Sequence, residues 1–195
     1  MFADATSLEG KFLVAMPGMG DSRFEKSVIY LCAHSGEGSM GFIINRPLET
    51  PGTLDFLEQL NIIVENERDG VPENVVAAGL HTGGPVEQGR GFVLHSPDYQ
   101  AEGTLKVDGK VCLTATLEVL RELAIGKGPE KFLMALGYSG WSAGQLEEEL
   151  AANGWLIAEC DSDIIFSADA GAKYARAMQS MGINPGLLSQ ETGHA

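Results

Sequence analysis

The sequence predicts an α+β fold: a strongly bent, barrel-like mixed β-sheet with helices packed outside, in a single domain over residues 1–195. Three observations predict it. Strand-like apolar runs bounded by turn residues crowd the first half. The second half mixes strands with helical patterns but lacks the regular alternation of a doubly wound sheet. Glycine supplies 25 of the 195 residues, well above the usual ~7%, which suits turns and bent strands rather than a helix bundle.

In order along the chain, Phe12-Leu13-Val14-Ala15-Met16 reads as a strand stopped by Pro17-Gly18. The runs 28–32 and 40–44, separated by Gly36-Glu37-Gly38, read as a β-hairpin ending at Asn45-Arg46-Pro47. Thr53 caps a short helix with Leu54, Leu57 and Leu60 on one face. Residues 75–78 and 92–94 read as strands, and Asp108-Gly109 as a hairpin turn between Lys106-Val107 and Val111-Cys112-Leu113. Thr116 opens a helix closed by Gly126. Residues 132–136 form a buried strand. Ser142 and Gln145 make a capping-box pattern for a helix ended by Asn153-Gly154. A strand at 155–157 follows, then a helix capped by Ser167 with Tyr174, Met178 and Met181 on one face.

The net charge is −14 and the pI about 4.6. Bulk electrostatics therefore oppose direct nucleic-acid or anionic-membrane binding. The opening Met1–Thr6 lacks the basic and apolar regions of a secretion signal, and no apolar stretch approaches the ~18 residues of a membrane span. Three widely spaced cysteines (Cys32, Cys112, Cys160) read as free thiols of a reducing, cytoplasmic compartment.

The chemistry-bearing motifs each fail a spacing test. Gly36-Glu37-Gly38-Ser39-Met40-Gly41 matches GxGxxG, but strand-like Phe42-Ile43-Ile44 follows where a dinucleotide site needs a helix. Gly137-Tyr138-Ser139-Gly140-Trp141 has its first glycine one position too near Ser139 for a nucleophile elbow. Cys32 and His34, two apart on one strand, form no tetrahedral set with His81 and His95. The acidic run Glu147-Glu148-Glu149 cannot converge on one ion from successive helix positions and reads as a solvated face. Neither a metal, a cofactor nor a catalytic residue is expected.

Two arginines stand out. Arg46 ends a strand in Asn45-Arg46-Pro47, and Arg90 lies in Gly89-Arg90-Gly91 soon after Gly83-Gly84-Pro85. Guanidiniums beside accessible backbone suit a carboxylate or phosphate. Equally, each arginine could clamp a loop to one of the many carboxylates. The candidate ligand-binding set is Asn45, Arg46, Gly83, Gly84, Arg90 and His95, expected with Pro17-Gly18 on one side of the sheet.

Several segments together resemble the YqgE/AlgH family. They are Lys11-Phe12-Leu13-Val14-Ala15-Met16-Pro17-Gly18-Met19, Ser27-Val28-Ile29-Tyr30-Leu31-Cys32-Ala33-His34 and Gly41-Phe42-Ile43-Ile44-Asn45-Arg46-Pro47, followed by Gly83-Gly84-Pro85-Val86 and Arg90-Gly91-Phe92-Val93-Leu94-His95-Ser96. Ala135-Leu136-Gly137-Tyr138-Ser139-Gly140-Trp141 and Gly144-Gln145-Leu146-Glu147 complete the set. The resemblance implies a bacterial cytosolic α+β protein with a bent, barrel-like sheet and carries no catalytic residue with it. The sequence favours a non-enzymatic ligand- or protein-binding or regulatory protein, its partner a small anion or another protein. An enzyme acting on a small anion through Arg46 and Arg90 is the alternative. A transcriptional regulator, as the AlgH name suggests, is disfavoured by the net charge of −14.

Overall fold

The computed structural model describes residues 7–188; the opening read as lacking a secretion signal lies outside them. The chain is α+β and divides into two compact units. The first takes residues up to Asn45 and from Ser139 on; the second takes Arg46–Tyr138.

In the first unit, β1 (Phe12–Ala15) lies between β2 (Val28–Ser35) and β10 (Trp155–Ala158), antiparallel to both. β3 (Gly38–Ile43) continues the sheet from β2, and the last residues of β9 (Phe132–Ser142) pair with β3. All four β1 side chains are buried, as a continuous apolar run demands when both faces of a strand are covered. One face packs Leu13, Ile29, Leu31, Ile43 and Trp141 around Leu146 of α4 (Gln145–Ala151). A register shift between Leu31 and Ala33 bulges β2 and bends it.

The carboxy-terminal helices are α5 (Ser162–Phe166), α6 (Ala170–Ser180) and α7 (Pro185–Leu188). The α6 cap is Asp169, which accepts from the Ala172 amide, rather than Ser167. Ser167 instead accepts from the Asp169 amide, steering the chain out of α5, a helix the periodicity did not separate from α6. Tyr174 of α6 donates its hydroxyl to the Ala15 carbonyl at 2.7 Å. Lys173 is 1% exposed and donates to the carbonyls of Ile44 and Ile165 at 2.8 and 2.7 Å. Burial, with the neighbouring Arg176 charge, pushes its pKa down to about 8.

In the second unit, β5 (Leu80–Thr82) runs parallel to β9 and antiparallel to β4 (Pro47–Leu48). On the other side of β9 lies β6 (Val86–His95), antiparallel, followed by β8 (Cys112–Thr114) and β7 (Leu105–Lys106). The single parallel pair makes the arrangement mixed, and a four-residue excursion in β6 curls it further. The core of this unit joins Val93, Met134 and Leu136 to α1 (Thr53–Gln59), α2 (Glu73–Ala78) and α3 (Leu117–Ala124).

Residues 75–78, expected as a strand, belong to α2. Pro72 and Glu73 suit a helix start, Gly79 at φ 66° ends it, and one face alone is buried, through Val75. Gly52, not Thr53, occupies the α1 cap. The Asp108 turn is one residue longer than the Asp108-Gly109 pair implied. The Val107 amide reaches the Val111 carbonyl, and the Asp108 carboxylate accepts from the Lys110 and Val111 amides.

Candidate functional site

The backbone register of the second unit brings four of the six candidate residues to one end of its strands. The Thr82 amide donates to the Arg46 carbonyl at 2.8 Å, and Thr82 lies opposite Leu136. Leu136 in turn lies opposite Gly91 and accepts from the Gly83 amide at 2.8 Å. Arg46, Gly83-Gly84 and Arg90 therefore follow one another across β4, β5, β9 and β6. Gly83 and Gly84 are buried, Arg46 is half-buried and Arg90 is exposed.

Gly137 is the pivot of this arrangement. Val86 faces Tyr138 and Gly91 faces Leu136, so residues 87–90 all stand against Gly137 alone. Gly137 has φ 71°, and a Cβ there would meet the carbonyl oxygens of Gly84 and Val86 at 2.6 and 2.8 Å. Only glycine fits, since both obstacles are backbone. The surplus residues rise as a solvent-exposed arch, with Glu87 at φ 48° turning its first corner. Within it the Arg90 guanidinium lies 5.0 Å from the Phe92 ring centre, and Phe92 meets Tyr138 edge to face at 5.9 Å. Glu87 stands 3.5 Å from Arg90, both about half exposed, so water screens the pair. Two hollows of this unit, of about 260 and 330 Å³, are lined by residues other than Arg46 and Arg90.

The other candidates have partners of their own. Asn45, in the first unit, accepts from the Val28 amide at 2.9 Å and donates to the Lys26 carbonyl at 2.8 Å, clasping the start of β2. Pro17-Gly18 also belongs to the first unit. His95 lies four residues from Gly91, about 13 Å along an extended strand, and is fully buried. Its Nδ1 meets the Ser96 carbonyl at 2.8 Å, so Nδ1 carries the proton. Its Nε2 accepts from the Thr114 hydroxyl at 2.7 Å, and Thr114 contacts Thr104 at 2.8 Å. Burial lowers the His95 pKa, against the opposing pull of the Ser96 carbonyl and Asp98.

The other motifs resolve plainly. The Gly36–Gly41 stretch forms the β2–β3 hairpin. β9 runs unbroken through Ser139, so no strand-to-helix elbow forms there. Cys32 occupies the β2 bulge, buried, its Sγ 3.9 Å from the Tyr30 carbonyl. Among the described residues no three His, Cys, Asp or Glu side chains group as metal ligands. Glu149 departs from the solvated face expected of residues 147–149: it turns inward and takes the indole N–H of both tryptophans.

One cluster was missed. His34 Nδ1 lies 2.8 Å from Ser39 Oγ, and His34 Nε2 lies 3.6 Å from Glu147 Oε1. The signal was present in the hairpin: a two-residue loop pairing Ser35 with Gly38 sets His34 opposite Ser39.

An AlgH-like family profile matches residues 12–186. A UPF0301 protein of Bradyrhizobium diazoefficiens is 53% identical over 197 residues, spanning 99% of this chain and 91% of that protein. A UPF0301 protein of a Methylobacterium species is 52% identical over 189 residues, spanning 96% and 90%. The solution structure of the AlgH protein from Pseudomonas aeruginosa has a TM-score of 0.79 at 38% identity, covering 100% of both chains. Protein DIP2367 from Corynebacterium diphtheriae has a TM-score of 0.64 at 19% identity, covering 90% of this chain and 89% of its own, a likeness of fold.

Proposed function

This chain belongs to the AlgH-like family, and from that premise we propose that it is a binding or regulatory protein of the bacterial cytosol. It recognises a small anion or a carboxylate-bearing protein segment through the arch at residues 87–90, with Arg46 across β5 and β9 from it as a second cationic group. One observation carries the reading: five consecutive β6 residues, 86–90, are exposed, yet their base is fixed by backbone packing that admits only glycine at position 137. A projecting element on a rigid support is the usual form of a recognition loop. The Phe92 ring limits the freedom of the Arg90 head group before any partner arrives. Duplex DNA is disfavoured as the partner, because a long row of phosphates meets the net charge of −14, whereas a single anion meets only the local guanidinium. No helix among the described residues is long and apolar enough to cross a membrane.

The test incubates the purified protein with a metabolite library and identifies retained compounds by mass spectrometry. Arg90→Ala and Arg46→Ala should each weaken the retained anion at least tenfold while leaving the melting temperature within a few degrees of wild type. A retained anion bound equally by both variants would place recognition elsewhere. A fall in melting temperature without loss of binding would make the arginines loop clamps.

A further inference from the structure

We propose that Ser39 is an acyl-accepting nucleophile, with His34 as its base and Glu147 as a positioning residue. Ser39 and His34 face each other directly across the β2–β3 ladder, with Oγ 2.8 Å from Nδ1. Trp141 pairs with Ser39 from the other side, so the serine stands on a strand held along both edges. Glu147 comes from α4, whose start is tied to β9 by the Ser142 amide donating to Gln145 Oε1 at 3.0 Å. Ser39 is half-buried, the His34 side chain is 17% exposed and that of Glu147 is 51% exposed.

The carboxylate decides what the imidazole can do. With Glu147 Oε1 3.6 Å from Nε2, the favoured neutral tautomer carries its proton on Nε2, directed at the carboxylate. The other tautomer would set a nitrogen lone pair against a negative oxygen. Nδ1 is then the acceptor, and the Ser39 hydroxyl donates to it. This tautomer turns a ring lone pair toward the serine hydroxyl, as a general base needs before it removes a serine proton.

The amides along β3 are committed to the ladders with β2 and β9, so no row of strand amides meets the oxygen of a reacting carbonyl. That restricts the substrates to activated acyl donors, thioesters and aryl esters, whose leaving groups depart readily. Ser39 Oγ forms the new C–O bond, its proton passes to His34 Nδ1, and the C–S or aryl C–O bond breaks as the thiol or phenol leaves with that proton. Water then attacks the acyl-serine under the same base, releasing the carboxylic acid and restoring the hydroxyl.

The experiment treats the full chain with a fluorophosphonate, which forms an Oγ–P bond as fluoride leaves, and separately with p-nitrophenyl acetate. Adducts are located by peptide mass spectrometry and folding is checked by circular dichroism. Wild type should carry one adduct, on Ser39, and Ser39→Ala none. His34→Ala should be labelled at least tenfold more slowly and regain rate with added imidazole; His34→Asn serves if the alanine variant does not fold. Glu147→Gln should lower the maximal labelling rate without changing the half-saturating reagent concentration, and Glu147→Asp should recover part of the loss. Folded wild type unlabelled at Ser39, or His34 variants labelled at the wild-type rate, would overturn the proposal.

Discussion

Trp141 and Trp155 share a single acceptor atom. Their rings meet edge to face with centroids 6.1 Å apart, and both indole N–H groups donate to Oε2 of Glu149, at 2.9 and 2.8 Å. Its other oxygen accepts from Gln145 at 3.0 Å. One carboxylate thus ties β9, β10 and α4 together. Glu149→Ala strands two buried indole donors and should cost about 2–4 kcal/mol. Glu149→Gln keeps an acceptor oxygen and should cost less. Urea unfolding followed by tryptophan fluorescence measures both, and an alanine variant within about 0.5 kcal/mol of wild type would contradict the assignment.

Gly137 and Gly144 both adopt a left-handed backbone, at φ 71° and 78°, but a Cβ on Gly144 meets nothing within 4 Å. Alanine at position 144 should cost only the conformational penalty, roughly 1–2 kcal/mol. Gly137→Ala adds a collision with two carbonyl oxygens and should cost at least about 3 kcal/mol. Equal losses in the two variants would mean that the arch is not pinned at its base.

Lys173 gives the first unit an alkaline signature. Its folded pKa of about 8 lies below the ordinary 10.5. Below pH 8 both folded and unfolded chains hold the proton, and the penalty of a buried charge is fully present. Between pH 8 and 10.5 the folded chain releases the proton first, so stability contributed by this group rises with pH. Relative to Lys173→Met, wild type should gain about 3 kcal/mol across that interval. Paired denaturant titrations at pH 7.5, 9 and 10.5 follow the difference, and a constant difference would remove Lys173 as its source.

His95 acts in the acid range. Its lowered pKa means that the unfolded chain takes up the proton first as pH falls below the ordinary 6.5, so stability drops there and the drop ends below the folded pKa. Thr114→Val preserves shape while removing the hydroxyl between His95 and Thr104. It should cost about 1–3 kcal/mol at neutral pH. His95→Asn should flatten the acid slope, as thermal unfolding from pH 7 to 5 would register.

The strand runs at 12–16, 28–32, 40–44 and 132–136 were legible because apolar continuity and bounding turn residues are local properties. The α2 segment misled because Val75-Val76 carries β-branched side chains, whereas the decisive signals were Pro72 before it and Gly79 after it. β5 is three residues long and holds a buried histidine, too short a stretch for any period to register. Gathering Arg46, Gly83, Gly84 and Arg90 was foreseeable from prolines and glycines that mark where the chain leaves its ladders. The placement of His95 was not, because nothing local distinguishes the two ends of a ten-residue strand. Glu149 was hidden for a related reason: its partners sit 8 and 6 residues away on different strands.

The pairing of Phe12 with Ala158 sets the timing of assembly on the ribosome. β1 leaves the exit tunnel some 146 residues before the strand that closes its outer edge, a wait of roughly 7–30 s at ordinary elongation rates. For that interval a fully apolar strand presents an open row of amides and carbonyls, the state most prone to recruit another nascent chain. The whole of Arg46–Tyr138 is synthesised during the wait, so the second unit can fold while the first is still short of its last strand. Overproduction at high temperature should therefore yield aggregates seeded by the amino-terminal strands, and slower elongation in the cold should favour soluble protein.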